Sequence, residues 1–309
     1  MSNQAAQAAD LSTYPILQQI GNTPLVKIDI FSDEFPEVEI YAKAEMYNPG
    51  GSIKDRSVLR MLIEAIRCGE LNRDKIILDS SSGNAGIAYA MIGAVLGYRV
   101  ELVIPDNASE ERKKRIRAHG AEIVYTDAIL GYDEALREVH RRFEASPDKY
   151  FFADQYTNEN NWRAHYDTTA LEILEQSRGE LTHFVGGVGT GGTVTGTGRR
   201  LKEYNRDIQV CCITPDEFPG IEGLKPLGNP GDIVPEILDE SIIDCKIPVT
   251  IYQAHEICSR LAERGWFVGQ SSGGYLQGAY EVAKRIGKGT IVTVFNDLGE
   301  RYFSAHLWD

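Results

Sequence analysis

Short apolar runs that suit buried strands alternate along this chain with longer stretches whose apolar residues recur every three or four positions. For example, Val58, Met61 and Leu62 fall on one face of a helix. The short runs predict strands at Glu39–Ala44, Lys75–Asp79, Arg99–Ile104, Glu122–Tyr125, Lys149–Phe152, Thr182–Gly186, Ile208–Ile213 and Thr290–Phe295. The longer stretches predict helices at Asp55–Cys68, Ala85–Leu96, Glu110–His119 and Gly191–Tyr204.

This alternation predicts an α/β architecture, in which parallel strands are joined by crossover helices. Ligands of such folds bind at the carboxyl ends of the strands, where loops lead into helices. One irregular stretch, Thr214–Pro235, is rich in proline and glycine and is too long for a plain connection. We therefore expect it to act as a lid or a binding loop.

The composition is typical of a globular protein of about two domains, with 309 residues of which 42% are hydrophobic. The 32 basic and 45 acidic residues give a net charge of −13, which argues against a protein that grips nucleic acid or an anionic membrane. The first residues lack the pattern of a secretory signal, and no apolar run is long enough to span a bilayer. Five cysteines without a CxxC pair predict reduced thiols, and the six histidines lack metal-ligand spacing. We expect a cytoplasmic protein with no metal.

A glycine-rich turn follows the predicted strand Thr182–Gly186 and leads into a predicted helix. Backbone N–H groups at such a turn, together with the positive end of the helix dipole, suit a phosphate group. The alternative is a tight turn without a ligand. The hydroxyls of Thr190 and Thr193 favour a terminal phosphate monoester as the guest.

The same turn also fits a nicotinamide dinucleotide. Gly187, Gly189 and Gly192 match the dinucleotide fingerprint, and Asp216 follows at about the distance of a ribose-binding acid. Asp216 lies beyond Pro215 in the irregular stretch, and a lone match of this type is weak. Nicotinamide binding is therefore the second hypothesis.

A lysine stands in the first turn of the helix predicted after Asn48–Ser52. A cation there opposes the helix dipole, whose positive end favours anions. Lys54 either points to solvent, or is neutralised by Asp55, or has a lowered pKa. In the last case its neutral amine can form a Schiff base with an aldehyde.

Two more turns that lead from an apolar run into a predicted helix are rich in small polar residues, at Ser80–Asn84 and Gly269–Gly274. Their hydroxyls and N–H groups suit a small anion such as a carboxylate. The alternative is a well-capped helix start, because serine and asparagine are ordinary N-cap residues.

Three anion-binding turns and one disfavoured lysine fit a single cofactor, pyridoxal 5′-phosphate. Their order, from Ile20–Val26 to Gly299–Tyr302, resembles the cysteine synthase and cystathionine β-synthase family of fold type II pyridoxal-phosphate enzymes. The resemblance implies the tryptophan synthase β-subunit-like fold, with two doubly wound α/β domains. It implies a larger cofactor-binding domain, 1–44 plus 149–309, a smaller mobile domain, 45–148, a cofactor in the cleft between them, and a homodimer.

The resemblance also assigns roles residue by residue. Lys54 matches the lysine that forms the Schiff base and moves the α-proton. Asn84 matches the residue that bonds the cofactor's 3′-oxygen, and Ser271 matches the serine that faces the pyridine nitrogen. The phosphate loop matches Gly189, Thr190, Gly191, Gly192 and Thr193. The amino-acid substrate would be held by Ser81, Ser82, Asn84, Ala85 and Gln155, with Lys225 at the leaving-group end.

The implied activity is that of a cysteine synthase. Such an enzyme releases acetate or phosphate from O-acetyl- or O-phosphoserine and adds a sulfur donor to an aminoacrylate intermediate. The alternative within the family is a condensation of serine, or of an activated serine, with homocysteine. A nicotinamide-dependent dehydrogenase and an inactive cofactor-binding scaffold are the remaining hypotheses.

Some residues depart from the pattern of the family. Ala85 stands where the family usually has threonine, and Ser81 also replaces a threonine but keeps the hydroxyl. Glu159 and Asn160 replace a Pro-Ala pair. Lys225 roughly aligns with an arginine that holds the substrate phosphate in phosphoserine-using relatives, although a surface lysine in a mobile loop is the simpler interpretation. These departures concern the substrate rather than the cofactor.

Overall fold

Two separate β-sheets organise the chain, and a computed structural model describes its residues 10–226 and 234–309. Residue contacts divide the chain into two units, each with one sheet. Unit 1 comprises Lys54–Asn160 and the described residues of Met1–Ile20, and unit 2 comprises Gly21–Ile53 and Asn161–Asp309. The division into 1–44 plus 149–309 and 45–148 that the sequence predicts stays a prediction.

The described strands are β1 (Leu25–Lys27), β2 (Val38–Ala44), β3 (Ile76–Asp79), β4 (Val100–Pro105), β5 (Glu122–Thr126), β6 (Tyr150–Phe152), β7 (His183–Gly187), β8 (Gln209–Pro215), β9 (Cys245–Val249) and β10 (Gly289–Phe295). The described α-helices are α1 (Lys54–Cys68), α2 (Asn84–Leu96), α3 (Glu110–Ala118), α4 (Gly131–Ala145), α5 (Glu159–Ala164), α6 (Ala170–Gln176), α7 (Gly192–Tyr204), α8 (Ile251–Ala262) and α9 (Gln270–Ile286). A π-helical turn, His165–Thr169, joins α5 to α6. None of the described helices is both long and apolar enough to cross a membrane.

The sheet of unit 1 is fully parallel, in the order β5-β4-β3-β6. Every residue of β3 and β4 is buried, as expected for parallel strands covered by helices on both faces. Helix α1 buries Val58 and Leu62, and α2 is apolar around its whole circumference. Since β3 and β6 are neighbours, the turns that follow them lie at the same carboxyl edge.

The sheet of unit 2 has the order β1-β2-β10-β7-β8-β9, and only the pairing of β1 with β2 is antiparallel. The strands β10 and β7 are central and pair in parallel, with Ile291 opposite His183. Their carboxyl ends therefore face the same edge. This edge carries the turn that enters α7 and the segment that follows β10.

The α/β class predicted from the sequence is confirmed, and all eight predicted strands are present with ends shifted by one or two residues. The four predicted helices are present to within one residue at each end. The sequence pattern missed β1 and β9, two short strands at the edges of the larger sheet. The predicted irregular stretch starts too early, because Thr214 and Pro215 belong to β8, and its residues 227–233 lie outside the described residues.

A buried ion pair links strand β2 of the larger sheet to a helix of the same unit. Lys43 on β2 is completely buried, and its Nζ lies 2.7 Å from Glu172 Oε2 on α6. The same Nζ donates to Gln176 Oε1 at 2.8 Å and to the carbonyl oxygen of Thr23. An ammonium group removed from water in this way needs these acceptors to remain charged.

Removing the carboxylate of this pair should destabilise the protein strongly. We expect Glu172→Ala to lower the free energy of unfolding by about 3 kcal/mol, because a buried ammonium then loses its anionic partner. Chemical denaturation followed by circular dichroism measures this. The control Glu175→Ala changes an exposed carboxylate on the same helix and should cost less than about 0.5 kcal/mol. Equal losses in the two variants would contradict the assignment.

Candidate active site

The residues that the sequence singles out are distributed over both units. Unit 1 contains Lys54, Ser81, Ser82, Asn84, Ala85 and Gln155. Unit 2 contains Gly189, Thr190, Gly191, Gly192, Thr193, Lys225 and Ser271.

The loop that leads into α1 is held by hydrogen bonds within unit 2. Asn48 is buried, and its Nδ2 donates to Glu45 Oε2 at 2.7 Å and to the carbonyl of Ser52 at 3.1 Å. The N–H of Ile53 donates to the carbonyl of Asn296 at 2.9 Å. The backbone immediately before Lys54 is therefore fixed against the residue that follows β10.

Lys54 is the first residue of α1, and burial lowers the pKa of its amine from 10.5 to about 8. The nearby charge of Asp79 opposes this shift by favouring the ammonium form. The lowered pKa agrees in direction with the sequence-based hypothesis, but the main cause is burial rather than the helix dipole. A useful fraction of the amine is neutral near physiological pH and can act as a nucleophile.

Asp79 ends β3 and is itself buried. Burial raises the pKa of its carboxyl group from 3.8 to about 6, and hydrogen bonds from Tyr89 and from the N–H of Ser80 work against that rise. The N–H of Ser80 donates to Asp79 Oδ1 at 2.6 Å. The carboxylate therefore fixes the start of the serine-rich turn while contributing a negative charge near Lys54.

The turn Ser80–Asn84 connects β3 to α2. Its N-cap residue is Gly83, which provides no side-chain cap, so neither a serine nor Asn84 is the N-cap residue that the alternative interpretation of this turn required. Ser81 and Ala85 are buried, whereas Ser82 and Asn84 are partly exposed. The first N–H groups of α2 lack partners within the helix and suit a carboxylate.

The turn that follows β6 lies at the same edge of the sheet as the turn that follows β3. Asp154 has a left-handed backbone, with φ of 44°, and Gln155 is buried directly after it. Within unit 1, the fold thus places Gln155 and the serine-rich turn at neighbouring strand ends.

The glycine-rich turn of unit 2 begins where β7 ends and passes into α7. Gly191 is the N-cap residue, with φ of 85°, in the left-handed region that favours glycine. A Cβ atom on Gly192 would lie 2.1 Å from Asn161 Oδ1, so any side chain at this position would displace the amide of Asn161. Asn161 Nδ2 also donates to Thr190 Oγ1 at 3.0 Å. Sequence reasoning missed Asn161, because it lies far from the turn along the chain.

Two further residues of unit 2 lie beside this turn. The N–H of Lys225 donates to the carbonyl of Val188 at 2.7 Å, so the backbone at Lys225 lies next to the start of the turn. The Thr193 hydroxyl lies 3.4 Å from His165 Nε2. Asp216, which the nicotinamide hypothesis used, is exposed directly after β8.

Ser271 is the second residue of α9 and is buried. Asn296 Nδ2, at the end of β10, donates to Ser271 Oγ at 3.0 Å. Asn296 was not identified from the sequence. In residues 10–226 and 234–309, no cluster of three or more His, Cys, Asp or Glu side chains could hold a metal ion.

These donors fit pyridoxal 5′-phosphate on chemical grounds. A nucleophilic amine at Lys54 suits its aldehyde, and the crowded glycine turn offers backbone N–H groups to its phosphate. The hydroxyl of Ser271 suits its ring nitrogen. The fit to the phosphate thus rests on main-chain N–H groups rather than on large side chains. The fit to the aldehyde rests on the partly buried amine of Lys54.

Comparison with known proteins agrees with this assignment. Residues 16–297 match the model of a family described as pyridoxal-phosphate dependent enzyme. The chain is 48% identical to a cysteine synthase of Aquifex aeolicus over 301 residues, covering 95% of this chain and 91% of the relative.

The fold of this chain is also similar to that of solved enzymes. A cysteine synthase from Entamoeba histolytica matches with a TM-score of 0.89 at 34% identity, covering 96% of this chain and 90% of its own. An O-ureido-L-serine synthase matches with a TM-score of 0.88 at 36% identity, covering 95% and 94%. The chain therefore belongs to the pyridoxal-phosphate-dependent enzymes of fold type II, in the cysteine synthase family.

Proposed function

We propose that this protein forms L-cysteine by a pyridoxal-phosphate-dependent β-replacement, in which a sulfur donor replaces the leaving group of O-acetyl- or O-phosphoserine. The observation that carries the proposal is the partly buried Lys54 side chain at the start of α1, where burial lowers the pKa of the amine to about 8. The identity of 48% to a relative named cysteine synthase, over nearly the whole chain, supports it.

The cofactor supplies an electron sink that makes the α-proton of a bound amino acid acidic. Lys54 would hold it by a covalent bond to its aldehyde carbon, and Asn84 would bond its 3′-oxygen. The hydroxyl of Ser271 would meet its ring nitrogen. Its phosphate would be held by the glycine-rich turn, at Gly189, Thr190, Gly191, Gly192 and Thr193.

Lys54 has a second role as a base. Its Nζ would accept the α-proton of the substrate, and a pKa near 8 would let it carry and return that proton close to physiological pH. The nearby Asp79 favours the protonated amine and so moderates how far burial lowers the pKa.

The substrate carboxylate would be held by the turn between β3 and α2 and by the residue after β6. The contributing residues would be Ser81, Ser82, Asn84, Ala85 and Gln155. Ala85 has no hydroxyl, so its contribution is limited to the backbone N–H at the start of α2. We place Lys225 at the leaving-group end, where its ammonium group would pair with a substrate phosphate.

Two broader properties are proposed on the resemblance alone. We expect the protein to be a homodimer, and we expect it to act in the cytoplasm. The resemblance further implies that the smaller domain, 45–148, is mobile, and closure of the turn Ser80–Asn84 would exclude water from the reaction.

The covalent link should be found at Lys54. We expect borohydride reduction of the purified, cofactor-loaded protein to add the mass of a pyridoxyl phosphate group to the peptide that contains Lys54. We expect Lys54→Ala to lose that adduct and at least a thousandfold in turnover, because both the tether and the base are removed. Peptide mass spectrometry and a cysteine assay measure this.

The control is Lys114→Ala, which removes an exposed lysine of the same unit. An adduct on any lysine other than Lys54 would refute the assignment.

The pH dependence of cofactor loading should follow the Lys54 amine. Only the neutral amine attacks an aldehyde, so we expect the loading rate to rise with pH through a midpoint of about 8. Asp79→Asn removes a charge that favours the ammonium form, so its midpoint should move to lower pH. Stopped-flow absorbance of cofactor-free protein mixed with pyridoxal phosphate gives the loading rate at each pH.

The control Asp74→Asn changes an exposed aspartate of the same unit and should leave the midpoint in place. A midpoint that moves to higher pH in Asp79→Asn would contradict the argument.

The role of Lys225 separates the two activated serines. We expect Lys225→Met to raise the KM for O-phosphoserine on the order of tenfold, because an ion pair with the phosphate is lost, and to leave the KM for O-acetylserine nearly unchanged. Steady-state assays with sulfide, thiosulfate and homocysteine as acceptors identify the nucleophile at the same time. Lys114→Met is the matched control, and equal effects on both serines would remove the phosphate role.

A further inference from the structure

Asn296 joins three segments of unit 2 at the carboxyl end of β10. It is 7% exposed. Its carbonyl oxygen accepts from the N–H of Ile53 at 2.9 Å, and its own N–H donates to Ser272 Oγ at 2.9 Å. Its side-chain Nδ2 donates to Ser271 Oγ at 3.0 Å, and the same side chain acts on the Tyr275 hydroxyl, whose pKa it lowers. One buried residue thus connects the loop before Lys54 to the start of α9.

The hydrogen bonding of Tyr275 indicates which end of the Asn296 amide, the N–H groups or the oxygen, faces the neighbouring hydroxyls. The Tyr275 hydroxyl lies 3.2 Å from the carbonyl oxygen of Gly187, which can only accept, so the hydroxyl proton goes to Gly187. Burial raises the pKa of Tyr275, which keeps it in the hydroxyl form. The oxygen of Tyr275 is left as an acceptor, which agrees with the bond from Asn296 Nδ2 to Ser271: the amide turns its N–H groups rather than its carbonyl oxygen toward these hydroxyls.

The amide nitrogen of Asn296 determines which hydrogen bonds Ser271 can still make. Asn296 Nδ2 lies 3.0 Å from Ser271 Oγ, so the serine oxygen accepts from the amide. Ser271 is 7% exposed. Across the two described ranges, no protein acceptor takes its hydroxyl proton. The proton is therefore available to an acceptor atom of a ligand.

We propose that Asn296 is a positioning residue that makes Ser271 a hydrogen-bond donor toward the cofactor, so that the ring nitrogen facing Ser271 stays unprotonated. This inference rests on the proposed function. The amide of Asn296 takes one lone pair of the Ser271 oxygen, and no acceptor in the described part of the chain takes the hydroxyl proton, so the ring nitrogen is the acceptor that satisfies this proton. An unprotonated ring is a weaker electron sink, which suits the expulsion of a good leaving group over the formation of a long-lived carbanion.

The test replaces the amide by a carboxylate of the same shape. In Asn296→Asp, both side-chain oxygens accept, so Ser271 should turn its proton toward residue 296 and present a lone pair to the ring. We expect the ¹⁵N resonance of the ring nitrogen, in protein loaded with ring-¹⁵N pyridoxal phosphate, to move from the unprotonated position in the wild type toward the pyridinium position at pH 8. The dissociation constant of the cofactor should rise on the order of tenfold.

Asn205→Asp is the matched control, because it makes the same change at an exposed position of unit 2. Its ¹⁵N resonance should equal that of the wild type. If Asn296→Asp yields no folded protein by circular dichroism, Asn296→Ala gives the second test. It frees the Ser271 hydroxyl to rotate and should weaken cofactor binding severalfold, again with a displaced ¹⁵N resonance.

The double variant Ser271→Ala/Asn296→Asp tests whether Asn296 acts through Ser271. Its ¹⁵N resonance should equal that of Ser271→Ala alone, and a further displacement would overturn the positioning role. A wild-type resonance at the pyridinium position, or identical resonances in the wild type and both variants at position 296, would also overturn it. If borohydride reduction leaves no adduct on wild-type Lys54, the proposed function fails and this inference fails with it. An adduct on Lys54 with unchanged resonances defeats the inference alone.

Discussion

The chemistry of this protein depends on the free-energy cost of burying one amine. A lysine amine with a pKa of about 8 in the folded chain and 10.5 in the unfolded chain binds fewer protons when folded. Its contribution to stability therefore improves as pH rises from about 8 to 10.5 and is unfavourable below that window. The difference corresponds to on the order of 3 kcal/mol near neutral pH, which the rest of the fold must offset. Groups shifted in this way concentrate at active sites, because the same burial makes the amine reactive.

The larger sheet explains how backbone groups become binding groups. Because β7 and β10 are central and parallel, the glycine-rich turn and Asn296 emerge at one edge of the sheet. Tyr275 relates them, since its hydroxyl donates to the carbonyl of the last residue of β7 and its pKa is lowered by the Asn296 side chain. The glycine-rich turn can thus offer its backbone N–H groups as binding groups with few side chains of its own. Its shape is set by close contacts such as that between Gly192 and Asn161.

The sequence predicted what depends on local pattern. Buried parallel strands such as β3 and β4 are continuous apolar runs, and these were found almost to the residue. The edge strands were missed for a physical reason: β1 has only three residues, and β9 alternates buried with exposed positions and contains Pro248. The lysine and the turns were recognised by their order, whereas Asn161 and Asn296 act through contacts across 29 and 25 positions of the chain. No local pattern reports such contacts.

The two sets of candidate residues differ in how they tolerate substitution. The proposed cofactor set would rely on main-chain donors and on glycines whose replacement would force a neighbour to move, such as the backbone of Gly223 at Gly189 and the side chain of Asn161 at Gly192. The substrate set relies on side chains at the start of α2, where Ala85 is buried but carries no hydroxyl. Loss of that hydroxyl leaves the helix N–H groups in place, so an anion can still bind there, with less discrimination among amino acids. In the proposed site, the turn before α2 would hold the carboxylate that the activated serines share, whereas Lys225 would distinguish their leaving groups. A chain of this family could therefore keep its cofactor chemistry while its preference for one activated serine changes at the leaving-group end.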